Sequence, residues 1–244
     1  MKAINIYTYS RIQEDMVTEY ENILSQRSKK LNAKVQEFIA IKTLVDLLLD
    51  IDIEIKYFEN FFVSFTIEQI GKEFDLIKLD KDKLVLNIEL KSEDVGVDAI
   101  QNQLEKNRYY LKHLAPEVHL YTFVESTKEL YKYTSKGAQI VTVEDLKDSM
   151  ELFQKSLGEN IESLFQANNY LISPLNTPDK FMTGDYFLTN QQHDIKKKIV
   201  DLILLDDKEH ILGITGKAGT GKTLLFYEYY KDSCRTRHKM LFNP

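Results

Sequence analysis

KEFDLIKLDKDKLVLNIELKS, residues 72–92, reads as two extended segments closed by a polar turn. EFDLIKL and KLVLNIELK are dense in aliphatic side chains, and Asp80-Lys81-Asp82 is a short charged stretch that turns a chain back on itself. The hairpin this predicts has a defined alternation. Glu89 and Lys91 are i and i+2 on one strand and face the same side, while Leu84, Leu86, Ile88 and Leu90 face the other side, into a core. Asp75, on the partner strand, is placed to come beside Glu89.

Outward from this hairpin the chain alternates helix and strand signals. KLNAKVQEFIAIKTLVDLLL, residues 30–49, has Val35, Phe38, Ile39, Leu44 and Leu48 at helical spacing and predicts a buried helix. AINIYTY near the start and IEIKYFE after the helix read as extended. DAIQNQLEKNRYYLKHL, residues 98–114, is helical in pattern and is stopped by Pro116. VHLYTFV and AQIVTV are apolar and β-rich, as buried strands are. VEDLKDSMELFQKSLGENIESLFQANNYLI reads as one or two amphipathic helices, and ISPLNTPDKF, with two prolines, as a connector. TNQQHDIKKKIVDLI predicts a helix and HILGIT a strand. The order implies two α/β modules: residues 1–150, a helical connector over 151–185, and residues 186–244.

Composition is that of an ordinary globular chain, with 43% hydrophobic and 29% charged residues in 244. No run of 18 uncharged apolar residues exists, so no membrane span is expected. The opening MKAINIYTYSRIQED turns polar too early for a secretory signal. The single Cys234 builds no disulfide or cysteine zinc site within the chain, and a cytoplasmic location is the expectation. The net charge is −6, distributed as +2 over residues 181–244 and −8 before them. An acidic chain that acts on nucleic acid needs a local basic groove or metal ions to offset phosphate repulsion.

Asp75 followed by Glu89-Leu90-Lys91 resembles the PD-(D/E)XK nuclease superfamily, whose fold is restriction-endonuclease-like: a mixed sheet flanked by helices. The resemblance would cover roughly residues 30–145. It implies that Asp75 and Glu89 hold Mg²⁺ or Mn²⁺, which bridges the scissile phosphate and an activated water. Lys91 would neutralise developing charge and orient that water. Glu37, on the first long helix, fits the extra acidic residue many members carry. Gln103, opening Gln103-Leu104 with Tyr109 and Tyr110 beyond, fits the glutamine on the helix after the E-x-K strand. The departure is Phe74, which stands where the motif names proline. The short pattern recurs at Glu54-Ile55-Lys56, Asp145-Leu146-Lys147, Asp194-Ile195-Lys196 and Asp206-Asp207-Lys208, but those lack a hairpin-partner aspartate. His113 and His119 read as surface or capping residues. Tyr109 and Tyr110 are candidates for base stacking or core packing.

Gly216-Lys217-Ala218-Gly219-Thr220-Gly221-Lys222-Thr223 is the G-x-x-x-x-G-K-T phosphate-binding loop. Glycines let main-chain N–H groups wrap phosphate oxygens, and the following helix aims its positive end at them. Lys222 would reach the β- and γ-phosphates of ATP, and Thr223 would offer its hydroxyl to magnesium. Phe187-Leu188-Thr189-Asn190-Gln191-Gln192 resembles the adenine-reading Q motif of superfamily 1 helicases, with Gln192 as the reader and Gln191 as the fallback. Thr189 or Asn190 capping the helix is the plainer reading of the same residues. A second acidic motif and an arginine finger are not recognisable after Thr223, so residues 186–244 are expected to be the opening of a helicase-like ATPase in a longer protein. Together the motifs imply a metal-dependent nuclease domain coupled to an ATPase, with nucleic acid, DNA favoured, as partner. Family analogy adds a role in defence against phages or plasmids. The alternative is a nucleotide-dependent binding or regulatory protein with an inactive nuclease-like domain.

Overall fold

The computed structural model describes residues 1–26, 34–67, 70–80, 83–165, 178–183, 186, 188–204, 212–216 and 221–236. The chain forms two compact units, Met1–Ile67 with Glu73–Gln166, and Glu68–Lys72 with Ala167–Pro244.

The first unit is a six-stranded mixed sheet packed against helices. Its strands are β1 (Phe62–Ile67), β2 (Lys72–Asp80), β3 (Leu84–Lys91), β4 (Glu117–Val124), β5 (Glu129–Thr134) and β6 (Gly137–Val141), in the order β1-β2-β3-β4-β5-β6. The expected hairpin is β2–β3, antiparallel, with Leu76 opposite Ile88 and Asp80 opposite Leu84. β3 and β4 run parallel. Parallel neighbours need a crossover, and the helix α4 (Val97–Leu111) supplies it. β4–β5 and β5–β6 are antiparallel.

Alternation sorts the side chains of β3 onto two layers. Leu84, Leu86, Ile88 and Leu90 join Tyr121 and Phe123 of β4 in the main core. Over them lies α3 (Val35–Asp50), whose Phe38, Ile41, Leu44, Val45 and Leu48 recur at helical spacing and are buried. Leu146 and Met150 of α5 (Val143–Glu151) complete that layer. The opposite side of β3 is covered by α4, whose Ile100, Leu104 and Leu111 are also buried.

Three local expectations are corrected, and one is narrowed. AINIYTY is not a strand: residues Ile6–Ser10 form the short helix α1, because the Asn5 side chain accepts the amides of Tyr7 and Thr8 at 2.9 and 3.2 Å, a helix N-cap. Only Ile4 keeps a β-bridge, to Phe61. IEIKYFE forms a 3-10 turn over Ile55–Phe58, bracketed by the left-handed residues Asp52 and Asn60, and the strand begins after them as β1. Of the one or two helices expected after β6, α5 forms, and the chain before the 3-10 turn Ile161–Leu164 is drawn out, because Leu157 donates to the Leu79 carbonyl and Gly158 accepts from Ala3. Finally, HILGIT forms no strand over the described residues 212–216, which belong to no ladder. A strand needs a paired neighbour, and the second unit has none among the described residues.

The described helices of the second unit are α6 (Pro178–Thr183), α7 (Asn190–Leu204) and α8 (Lys222–Thr236), joined around Phe181, Leu224, Leu225 and Tyr229. Ahead of α2 (Val17–Ser25) in the first unit, Tyr9 of α1 donates to the buried Glu21 at 3.0 Å. No helix among the described residues is long and apolar enough to cross a membrane.

Candidate active site

Glu89 lies on the α4 side of β3 and is only 3% exposed. Its carboxylate is an acceptor for three amides. Asn107 Nδ2 and Asn87 Nδ2 donate to Oε1 at 2.7 and 3.3 Å, and Gln103 Nε2 donates to Oε2 at 3.2 Å. The amides also bind one another. Asn107 Nδ2 donates to Asn87 Oδ1 at 2.6 Å, Gln103 Nε2 to Asn107 Oδ1 at 3.4 Å, and Asn87 Nδ2 to the Leu76 carbonyl at 3.0 Å. Gln103 and Asn107 are i and i+4 on α4, so both reach the same strand. Asn87 and Glu89 are i and i+2 on β3.

Asp75 is 8% exposed and sits just past the last paired residue of the hairpin register. The Leu90 amide donates to its Oδ2 at 2.8 Å. Burial drives its carboxyl up from 3.8 to about 8. The negative charges of Glu89 and Glu37 push the same way, while the Leu90 amide and Lys91 oppose. Asp75, Glu89, Glu37 and Lys91 therefore share one electrostatic neighbourhood, to which Gln103 is tied through Glu89.

Glu37 and Lys91 line a small cleft with Lys34, Gln36, Ala40, Leu90 and Ser92. Lys34 Nζ donates to Glu37 at 2.6 Å and to Glu73 at 3.3 Å. Partial burial works against the Lys34 charge, but its hydrogen bonds and ion pairs with Glu37 and Glu73 outweigh that and raise the ammonium above its ordinary value.

A divalent cation is tested by the donor set. Among the described residues no group of three or more His, Cys, Asp or Glu side chains is gathered at metal-binding spacing. The carboxylates on offer are the pair Asp75 and Glu89. One further observation bears on the fit. Thr122, which the β3–β4 register places beside Glu89, is fully buried, and its Oγ1 has no protein hydrogen-bond partner. A buried hydroxyl left open beside a carboxylate suits a bound water or a hydrated ion. Two buried carboxylates and an open hydroxyl fit a hydrated divalent ion such as Mg²⁺, which keeps several waters.

The competing short motifs lack this setting. Glu54 pairs with Lys56 at the surface, Asp145 and Asp194 lie on α5 and α7, and residues 206–208 lie outside the described residues. His119 is bonded on both ring nitrogens, to Ser149 at 2.8 Å and Glu117 at 2.7 Å. Tyr109 and Tyr110 pack edge to face at 5.2 Å, with Tyr110 buried.

In the second unit Gly219 lies outside the described residues. Lys222 Nζ donates to the Gly216 carbonyl at 2.8 Å, and Thr223 is in the first turn of α8. Thr189 and Gln192 form a reciprocal capping box at the start of α7: Gln192 N–H donates to Thr189 Oγ1 at 3.2 Å and Thr189 N–H to Gln192 Oε1 at 2.9 Å. Gln192 also lies against Gly221. Gly221 has φ of 78°, and a Cβ there would stand 2.1 Å from Gln192 Nε2. Glycine is favoured at 221 by its backbone conformation, and a side chain there would displace the Gln192 amide.

Sequence reasoning missed Asn87, Asn107, Thr122, Lys34 and Lys78. Lys78 donates to the Tyr57 carbonyl at 2.7 Å, and burial lowers its ammonium from 10.5 to about 8 against the opposing charge of Glu59. The signal for Lys78 was a charge inside an apolar strand, at a position that pairs with core Leu86, and that for Asn87 was its place two residues before Glu89, on the same side of β3. No family model, curated protein or solved structure matches this chain.

Proposed function

We propose that the first unit is a metal-dependent nuclease of the restriction-endonuclease-like type, cleaving phosphodiesters of nucleic acid, with DNA favoured. The observation that carries this reading is the burial of Asp75 and Glu89 at one end of the hairpin, with Asp75 bonded to the amide of Leu90, the residue between Glu89 and Lys91, Gln103 of α4 bonded to Glu89, and Glu37 of α3 in one cleft with Lys91. Asp75 and Glu89 would hold Mg²⁺ or Mn²⁺. The ion, when bound, supplies Lewis-acid polarisation of the phosphate and a water of lowered pKa. Gln103 orients Glu89, Lys91 offers a cation to the phosphate, and burial of Asp75 and Glu89 beneath the helices limits competing water.

In the same reading the second unit binds ATP through Gly216, Gly219, Gly221, Lys222 and Thr223, with Gln192 toward the adenine, in the manner of a superfamily 1 helicase-like ATPase. A nuclease beside such an ATPase would serve in the cytoplasm to cut nucleic acid that the ATPase opens, including that of phages or plasmids. A second reading, an inactive nuclease-like domain that binds nucleic acid under nucleotide control, draws support from the depth at which Glu89 is buried and engaged.

Labelled DNA and RNA incubated with Mg²⁺ or Mn²⁺ separate the two. The nuclease reading expects cleavage that chelator stops and that Glu89→Gln and Lys91→Ala abolish. Binding without cleavage by the wild type would leave the second reading in place.

A further inference from the structure

The amides around Glu89 close on themselves. Asn87, Asn107 and Gln103 have six side-chain N–H bonds between them, and all six are committed: three to Glu89, one to Asn87 Oδ1, one to Asn107 Oδ1 and one to the Leu76 carbonyl. A primary amide has two donors and a carboxylate about four acceptor positions. On Glu89, Oε1 takes two N–H bonds and Oε2 takes one, so one acceptor position is unspent, on Oε2. The donors determine the orientation. Turning the Glu89 carboxylate away would leave buried N–H groups without acceptors, which is costly. The Leu76 bond also fixes the cluster to the neighbouring strand β2, the strand of Asp75.

We propose that Asn87 and Asn107 are positioning residues that lock Glu89 Oε1 and present Oε2 to the divalent ion. This rests on the nuclease reading and adds two residues to it. Asn107 carries the larger share, since it bonds both Glu89 and Asn87 and accepts from Gln103. Asn87 anchors the set to β2. Neither residue touches the ion or the reacting phosphate. They act by holding one carboxylate in one rotamer, as outer-shell partners of metal ligands do.

The test is Mn²⁺ titration by calorimetry on wild type, Asn107→Leu, Asn107→Ser and Glu89→Gln, each stripped of metal and checked for folding by circular dichroism. Leucine matches asparagine in shape and removes both donors. Serine keeps one donor and covers the case in which the leucine variant does not fold. The expected result is Mn²⁺ affinity weakened on the order of tenfold to a hundredfold in Asn107→Leu, less in Asn107→Ser, and lost in Glu89→Gln. Wild-type affinity in folded Asn107 variants, with Glu89→Gln still defective, overturns the positioning role and leaves the nuclease reading standing. No Mn²⁺ binding by the wild type overturns both. Failure of both Asn107 variants to fold makes the cluster a fold element and overturns the assignment.

Discussion

At the scale of single residues, two buried ionisable groups on β2 give stability a readable pH dependence in the absence of divalent metal. Asp75 has its carboxyl raised from 3.8 to about 8. Below the lower value both folded and unfolded chains carry the proton. Between the two values only the folded chain does, so stability falls as pH rises and the full loss is reached above about 8. Lys78 is lowered from 10.5 to about 8. Its penalty is complete below about 8 and is relieved as pH climbs toward 10.5, because the folded chain releases the proton first. Urea midpoints should therefore show Asp75→Asn gaining on wild type as pH rises through that first window. Lys78→Met should be most stabilising near neutrality and progressively less so in alkali. A parallel pH profile for wild type and Asp75→Asn would contradict the buried, charge-crowded setting of Asp75. At Gly221 the reasoning is conformational. Gly221→Ala forces a side chain into a left-handed backbone and displaces the Gln192 amide, and binding of a fluorescent ATP analogue should weaken about tenfold.

At the scale of elements, α3 is held by core burial and α7 by its cap. Leu44→Ala, at a position with no exposure, should cost about 2–5 kcal/mol in denaturant unfolding. Thr189→Ala removes one half of the capping box and should cost about 1 kcal/mol, seen as roughly fivefold faster amide exchange in the first turn of α7. The same elements mark what was legible beforehand. The β2–β3 hairpin, α3, α4 and β4 announce themselves because period and punctuation agree. α1 was hidden because Asn5, a single cap, overrides an apolar β-like run. β1 was displaced by one segment because the left-handed Asp52 and Asn60 carry no unambiguous letter. Within the site, Asp75, Glu89, Lys91, Glu37 and Gln103 could be named from spacing and resemblance. The partners of Glu89 could not, since which amide meets which carboxylate depends on how the α4 crossover is laid over β3.

At the scale of the whole molecule, a net charge of −6 opposes any approach of nucleic acid. Association with a labelled oligonucleotide should be weak in chelator at physiological ionic strength and should strengthen when Ca²⁺ is added without Mg²⁺. Filter binding or fluorescence anisotropy measures it, and tight, cation-independent binding would point to a basic groove elsewhere.

The two-sided burial of β3 has a further consequence for how this protein tolerates change. In a variant library across residues 84–91, scored for abundance and for cleavage, the two scores should agree over the buried run and part company at its exposed end. Replacements at Leu84, Leu86, Ile88 and Leu90 should deplete the protein itself. At Lys91, the partly exposed end of the strand, many replacements should leave it plentiful and silent, whereas at the buried Glu89 and Asn87 only close isosteres that keep the amide cluster partnered should do so. Sequences drifting under selection for abundance alone would then keep both sides of this strand and lose Lys91 first.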